Sequence, residues 1–315
     1  MNSGCFAGDT AGFPVTVGGS GSYRLTSNPS VSSANITAIV VTAGDVSIDL
    51  NGFSISGPTV CTGDPEIATS PPACSPTGSG FGIDASIHPR VRVHDGSIHG
   101  MDGTGVRVGT RPVIERLHVE GNGANGIWAL QSSRVADNVS VGNETWGIAG
   151  DSGSVITGNI AQGNGQIGIW AGIGATVIDN TARVNGSNGF SVGSGSTVTR
   201  NSSTKNGATG ISTGLACTIS HNAVWANVTG GITTNSGSTV PYSSVRENGG
   251  TGINAPVASW VSDNAVGFNG GVGLFLGTGT NASGYGNNVI RGNAATVSGG
   301  QQVGPNLCEG NSTCP

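Results

Sequence analysis

Apolar residues return along this chain at a step of 21, in two columns. One follows a glycine: Gly105-Val106, Gly126-Ile127, Gly147-Ile148, Gly168-Ile169, Gly189-Phe190, Gly210-Ile211, Gly231-Ile232, Gly252-Ile253 and Gly273-Leu274. The other holds Val135, Ile156, Val177, Val198, Ile219, Val240 and Val261, each with a polar residue three places later: Asn138, Asn159, Asn180, Asn201, Asn222, Ser243 and Asn264. A third, polar ladder keeps the same step through Asn122, Asn143, Asn164, Asn185, Asn206, Asn227, Asn248 and Asn269. A fixed period in this range marks a solenoid, in which no repeat can bury its apolar side alone. Within one repeat, residues 126–131 (GIWALQ), 134–136 (RVA) and 139–141 (VSV) are short apolar or alternating runs broken by Ser, Asp, Asn and Gly, the pattern of short strands and turns. Three strands per coil follow. Each pairs with its equivalent one coil on, so the sheets are parallel with a rise of about 4.8 Å per coil, and the crossover rule sets a right hand. The expected fold is all-β, a right-handed parallel β-helix with 21-residue coils and three strands per coil. About eleven coils would make it roughly 50 Å or more long.

The asparagines have a mechanical reading. Asn tolerates the left-handed backbone of a sharp bend, and its amide both donates and accepts, so stacked copies can hydrogen-bond along the axis. Composition agrees: charged residues are 9% of the chain and 57 of its 315 residues are glycine, against roughly 25% and about 7% in an average domain. The ladders also set boundaries within a single domain, residues 1–315. Residues 1–36 precede a regular coil and are expected to cap the amino end, where bare strand edges invite aggregation. Coils occupy 37–300. Residues 58–79 interrupt them with Pro58, Pro65, Pro71, Pro72 and Pro76 and read as an excursion loop, a shorter insertion falls at 277–286, and 301–315 are expected to cap the far end.

The opening run GSYRLTSNPSVSSANITAIVVTAGDVSIDLNGFSISG (residues 21–57) and the ladders from Gly105 to Asn293 resemble secreted bacterial proteins of the pectate-lyase-like β-helix superfamily. The resemblance covers most of the chain and implies fold. It does not imply one activity, because the superfamily spans lyases, hydrolases, epimerases, phage tail proteins and non-catalytic surface proteins. The pectate-lyase (Arg-x-Pro-x-x-Arg), polygalacturonase (Asn-Thr-Asp, Gly-His-Gly) and alginate C5-epimerase (Tyr-Gly-Phe-Asp-Pro-His) signatures are absent from the chain. The resemblance brings in Ca2+ as a cofactor by analogy; the residues themselves point to no cofactor and no metal site.

Six cysteines suggest an oxidising compartment. Cys61 and Cys74 bracket the Pro-rich loop and Cys308 and Cys314 the tail, each a local bridge; Cys5 has no obvious mate. Cys217 falls in a column of Ser133, Ser154, Ala175, Ser196, Ser238 and Ser259 and reads as a buried free thiol. Nothing resembles a signal peptide, and no apolar run is long enough to span a membrane. The Met1-Asn2-Ser3-Gly4 start suits a trimmed secreted chain, placed outside the cell or on its surface. A net charge of −5 leaves no footprint for nucleic acid, and a monomer is expected.

Charge is scarce, so its clustering is informative: residues 84–120 hold His88, His94, His99 and His118, four of the five histidines. On the 21-residue grid, Arg92, His94 and Asp95 lie one coil before Val113, Glu115 and Arg116, with Arg134 one coil further. Arginines 92, 116 and 134 could neutralise a sugar carboxylate while His94, Glu115 or Asp95 moves a proton. The candidate catalytic set is therefore His94, Glu115, Arg116, Arg92 and Asp95. His99 and His118, near Glu120, and Arg134 join the candidate substrate-binding set with Arg107, Trp128 and Trp170, an outward column whose indoles could stack on sugar rings. The same charges in alternating columns also suit a ladder that keeps a solenoid soluble and in register.

Two weaker patterns remain. Asp179, Arg200, His221, Tyr242 and Asp263 form another bend column, and Thr176, Thr197, Thr218 and Thr239 stack outward in a row that would suit ice binding. The functional expectation is a secreted protein engaging polysaccharide, either as a lyase or epimerase on an acidic polymer or as a non-catalytic surface, adhesion or structural protein.

Overall fold

Strands of mostly three residues follow one another around each coil, because the apolar runs are short and every run ends at a residue that bends the chain. The computed structural model describes residues 12–311 and residue 314, and among these it contains strands, turns and no helix. Thirteen parallel strands form the first sheet, from Val15–Val17 and Ile39–Val41 through Ile127–Ala129 to Ala295–Gly299. Two further faces complete the coil, and they merge where Arg92–His99 and Val113–Glu120 run unbroken around the bend between them. Register is a strict 21 along the regular part: Ile127 pairs with Ile148, Val135 with Ile156 and Ser140 with Ala161.

The core is a column of stacked apolar side chains. Ile127, Ile148, Ile169, Phe190, Ile211, Ile232 and Ile253 are fully buried from the first sheet, and Val135, Ile156, Val177, Val198, Ile219, Val240 and Val261 from the second. These are the two apolar columns of the sequence.

All three bends share one construction. The turning residue adopts the left-handed region, as at Ser132 (φ 60°), Asp137 (φ 57°) and Gly142 (φ 60°), and the next residue points inward: Ser133, Asn138 and Asn143, all buried. The ladder asparagines therefore do not turn the chain, as their identity suggests; the residue before each one does. Even Val184 is held there at φ 59°, a conformation rare for a β-branched residue. The asparagines hydrogen-bond along the axis instead. Asn164 donates from its backbone N and Nδ2 to Asn185 Oδ1 at 3.1 and 2.9 Å, and Asn185 does the same to Asn206 at 3.0 and 2.9 Å.

The ends differ from the expected caps. Val15–Val17 already pairs with Ile39–Val41, and Gly21–Arg24 with Val46–Asp49, so coiling begins well before residue 37. At the far end Gln301–Gln302 and Leu307–Cys308 still pair with the preceding coil. This is why the stack has more than eleven coils. Residues 1–11, with Cys5, lie outside the described residues. The 277–286 insertion lengthens one step from 21 to 24 residues, as in the bond from Ser259 N to Ser283 Oγ. Within residues 58–79, Val60–Thr62 and Ala73–Ser75 form an antiparallel hairpin closed by Cys61–Cys74. Cys308 bonds to Cys314, and Cys217 is a buried free cysteine in its small-residue column.

Candidate functional site

The charged patch assembles as the 21-residue grid requires, and its charges neutralise one another. Val93, Ile114 and Val135 face the core and are fully buried, so their neighbours Arg92, His94, Glu115 and Arg134 line the outer face. Glu115 accepts from Arg92 Nε at 3.1 Å, from Arg134 at 3.0 Å and pairs with Arg116 at 3.1 Å. Arg116 also grips Asp95 through two bonds, at 2.6 and 2.9 Å, and His94 Nδ1 lies 2.6 Å from the same carboxylate. Burial alone would raise the Glu115 pKa; the Arg92 hydrogen bond and the charges of Arg116 and Arg92 outweigh it and hold the group below its ordinary value. Asp95 is held well below the usual carboxylate range, by the Arg116 bonds first and the His94 bond second. Every arginine of the candidate catalytic set is thus already spent on a carboxylate of the protein, and both carboxylates are held ionised.

The pairing recurs at other bends. Asp95 and Arg116 are bend residues in the left-handed region, and so are Asp45 and Arg90 and again Asp179 and Arg200. Each pair makes a two-bond contact between neighbouring coils. In the second candidate column, Arg200 is taken up by Asp179 and His221 stacks on Tyr242 at 5.0 Å. Turning residues at one bend project outward one above another, and alternating sign there is the cross-coil ladder that favours register.

The sequence grid missed one neighbour. Asp49 Oδ1 lies 3.8 Å from His94 Nδ1, placed there by the pairing of Val46–Asp49 with Arg92–His99 across the excursion loop. Asp49, His94 and Asp95 bring three donor atoms within 4.8 Å of one another. Arg24 pairs with Asp49 at 3.3 Å and Arg116 with Asp95, so guanidinium groups already supply the positive charge a cation would bring.

The ladder reading has a measurable consequence. Arg116→Ala is expected to lower stability at neutral pH by about 1 kcal/mol or less, the scale of a part-exposed ion pair. The folded-state pKa values of Asp95 and Glu115 are depressed, so their contribution is present above the ordinary carboxylate pKa and is lost as pH falls through the folded values. The gap between wild type and variant in urea midpoints should therefore narrow below about pH 4. A gap that widens in acid would exclude the ladder.

The open surface lies elsewhere, under the Pro-rich hairpin. Bend residues Gly100, Gly121, Gly142 and Gly163 stack with φ between 60° and 65°, then the column continues as Val184, Lys205, Ala226, Glu247 and Phe268. The glycines mark the hairpin's footprint. A Cβ on Gly163 would sit 2.4 Å from Pro65, whereas one on Gly142 would meet nothing within 4 Å. Between hairpin and coils is a cleft of about 290 Å³, walled by residues such as Thr59, Thr62, Pro65 and Pro72 and floored by His99, Glu120, Val141 and the glycines. Glu66 fastens the tip, bonded to Gln162 at 2.6 Å and to Arg183 at 2.5 Å. Of the candidate binding residues, His99 reaches this cleft, and His118 is attached to its floor through Glu120 Oε2 at 3.0 Å. His94, Glu115, Arg116, Arg92 and Asp95 lie outside the lining of this cleft. The readable signal was the run of glycines at 100, 121, 142 and 163.

The first-sheet column is in register, Arg107 against Trp128 and Ala149 against Trp170. Arg107 is committed to Asp84 at 3.1 and 2.8 Å and lies 4.1 Å over the Phe81 ring. Trp128 is exposed, while Trp170 stacks on Trp146 at 5.5 Å beside a shallow depression with Asp151, Ser152 and Ser191. The threonine row pairs as expected but is bounded by Val155 and Trp260.

A sequence profile described as right handed beta helix region matches residues 15–182. No curated protein matches the chain. Among solved structures, the chain is similar to the periplasmic alginate epimerase AlgG, with a TM-score of 0.60 at 13% identity over 87% of this chain and 78% of that one. It is also similar to the catalytic unit of a thermostable GH87 α-1,3-glucanase from Streptomyces thermodiastaticus, with a TM-score of 0.56 at 14% identity over 90% of this chain and 64% of that one. At such identities the likeness is one of fold. Among the described residues no helix is long and apolar enough to cross a membrane.

Proposed function

Since the chain belongs to the right-handed β-helix family, we propose that it binds a neutral polysaccharide without turning it over, in the cleft between the Pro-rich hairpin and the coils. The observation that carries this is the cleft's chemistry. Its lining has no arginine or lysine, and its one carboxylate, Glu120, is joined to His118. An anionic polymer would meet a carboxylate with no guanidinium to offset it, whereas hydroxyl groups would meet the exposed Thr62, His99 and Glu120, each able to donate or accept. The floor runs along the axis over the glycine column, a shape suited to an extended chain. Glycoside hydrolysis ordinarily uses two carboxyl groups flanking the bond, and the lining offers one. Elimination or epimerisation at a uronate needs a cation beside the sugar carboxylate, and Arg92, Arg116 and Arg134 are committed to Glu115 and Asp95. The epimerase and glucanase that share the fold make polysaccharide the class to test first. Two disulfides support a location outside the reducing cytosol.

Gly142→Asn provides the test. Asn tolerates the left-handed backbone, and its side chain would project into the open floor. Retardation on neutral and acidic polysaccharides in affinity electrophoresis should show binding to a neutral polymer and at least a tenfold loss in the variant, about 1.4 kcal/mol. Gly195→Asn, at an open left-handed position on another bend, should bind as wild type. Equal retention of binding in both variants, or preference for uronate polymers, would overturn the proposal.

A further inference from the structure

Asp102 is 5% exposed, and neither of its carboxylate oxygens has a hydrogen-bond partner among the described residues. The nearby Thr59 hydroxyl donates instead to Pro76 O, at 3.5 Å. An ionised carboxylate removed from water without a partner is strongly destabilising, so such a group either holds a proton or faces a cation. The surroundings bear on which. Asp102, Gly123 and Glu144 occupy one column in successive coils, and Gly123 lies tight against the coil before it, where a Cβ would sit 2.5 Å from Asp102 O. A cavity of about 70 Å³ lies there, lined by Asp102, Gly123 and Glu144 from the coils and by Cys74, Pro76, Thr77 and Gly78 from the hairpin's return strand and the segment after it. That is several times the room one water needs. The lining holds no histidine, and its cysteine is tied into the Cys61–Cys74 disulfide, so oxygen atoms are the available ligands.

We propose that this cavity binds Ca2+, with Asp102 and Glu144 as carboxylate ligands and oxygens of the overlying 76–78 segment completing the shell. Oxygen-only donors from separate chain segments, with space for retained water, suit the larger and geometrically tolerant Ca2+ better than Mg2+, which requires near-ideal octahedral geometry. The ion would pin the base of the hairpin to two coils.

The test needs no glycan, so its outcome is independent of the proposed polysaccharide binding. The full chain, stripped with a chelator, is melted with and without CaCl2 or MgCl2, and 45Ca2+ is followed by equilibrium dialysis. One ion per chain is expected, with a rise of a few degrees in melting temperature at a hundredfold excess over the dissociation constant. Mg2+ should have a smaller effect. Asp102→Asn and Glu144→Gln should each abolish or weaken the calcium shift at least tenfold. Stripped of metal at neutral pH, Asp102→Asn should melt at or above wild type, because the variant removes an uncompensated charge; with Ca2+ the order should reverse. No stoichiometric binding, or an order of stabilities unchanged by Ca2+, would overturn the site and leave Asp102 a protonated core carboxyl.

Discussion

Asn185→Ala should destabilise the protein by about 3 kcal/mol, since several buried polar groups lose partners at once and each unmet group costs about 1–3 kcal/mol. Asn185 Oδ1 accepts two bonds from Asn164, and its Nδ2 donates to Asn206 Oδ1 at 2.9 Å and to Ala161 O at 3.1 Å. The side chain is fully buried, so water cannot replace these contacts without entering the stack. Asn185→Asp separates hydrogen bonding from packing. It keeps the shape and the acceptor but places a buried charge against two acceptors, so at pH 7 it should be worse than Ala. Its folded-state pKa would be raised, and the extra penalty should fade as pH drops below the unfolded carboxylate value near 4. Urea denaturation at pH 7 and pH 4 reads both effects. An Ala variant as stable as wild type would show that the amide ladder contributes nothing.

Gly168→Ala, a change of one methyl group, should cost roughly 3 kcal/mol. The added Cβ would lie 2.5 Å from Asn185 Nδ2, 2.8 Å from Gly189 O and 3.0 Å from Ala182 Cβ. The glycine ladder and the asparagine ladder are therefore one device: each asparagine amide packs where the Cβ of a glycine in the preceding coil would be. Gly126 against Asn143 at 2.8 Å and Gly147 against Asn164 at 2.6 Å repeat it. A double-mutant cycle should reveal this. In the Asn185→Ala background the contact with the amide is gone, although the clash with Gly189 O remains, so the combined loss should fall short of the sum by about 1 kcal/mol. Strict additivity would mean that the two ladders are independent.

These ladders are why the fold was legible without coordinates. Each coil meets only its neighbours, and a neighbour is always 21 residues away, so sequence spacing is spatial contact and the pairings of Ile127, Ile148 and Ile169 or of Asn164, Asn185 and Asn206 can be read directly. The same property placed Asp95 beneath Arg116 and Cys217 in its buried small-residue column. What the spacing could not carry was backbone conformation. Asparagine's tolerance of left-handed φ pointed to the wrong residue of each bend, because only the folded chain shows which of two adjacent residues turns and which points inward.

The site was less legible, for a related reason. Where the 21-residue step is interrupted, sequence distance stops reporting contact: Asp45 meets Arg90 45 residues on, and Glu66 meets Arg183 117 residues on. The hairpin's fold back over the glycine column, the cleft under it and the cavity joining Asp102 and Glu144 to Pro76 and Thr77 all depend on that interruption. The sequence by itself determined the coil, its period and its core, because these arise from nearest-neighbour contacts at constant spacing. Only the tertiary structure decided that the arginines are neutralised and that the open surface lies beneath the hairpin, because side-chain pairing and the path of an irregular loop have no period to be read from.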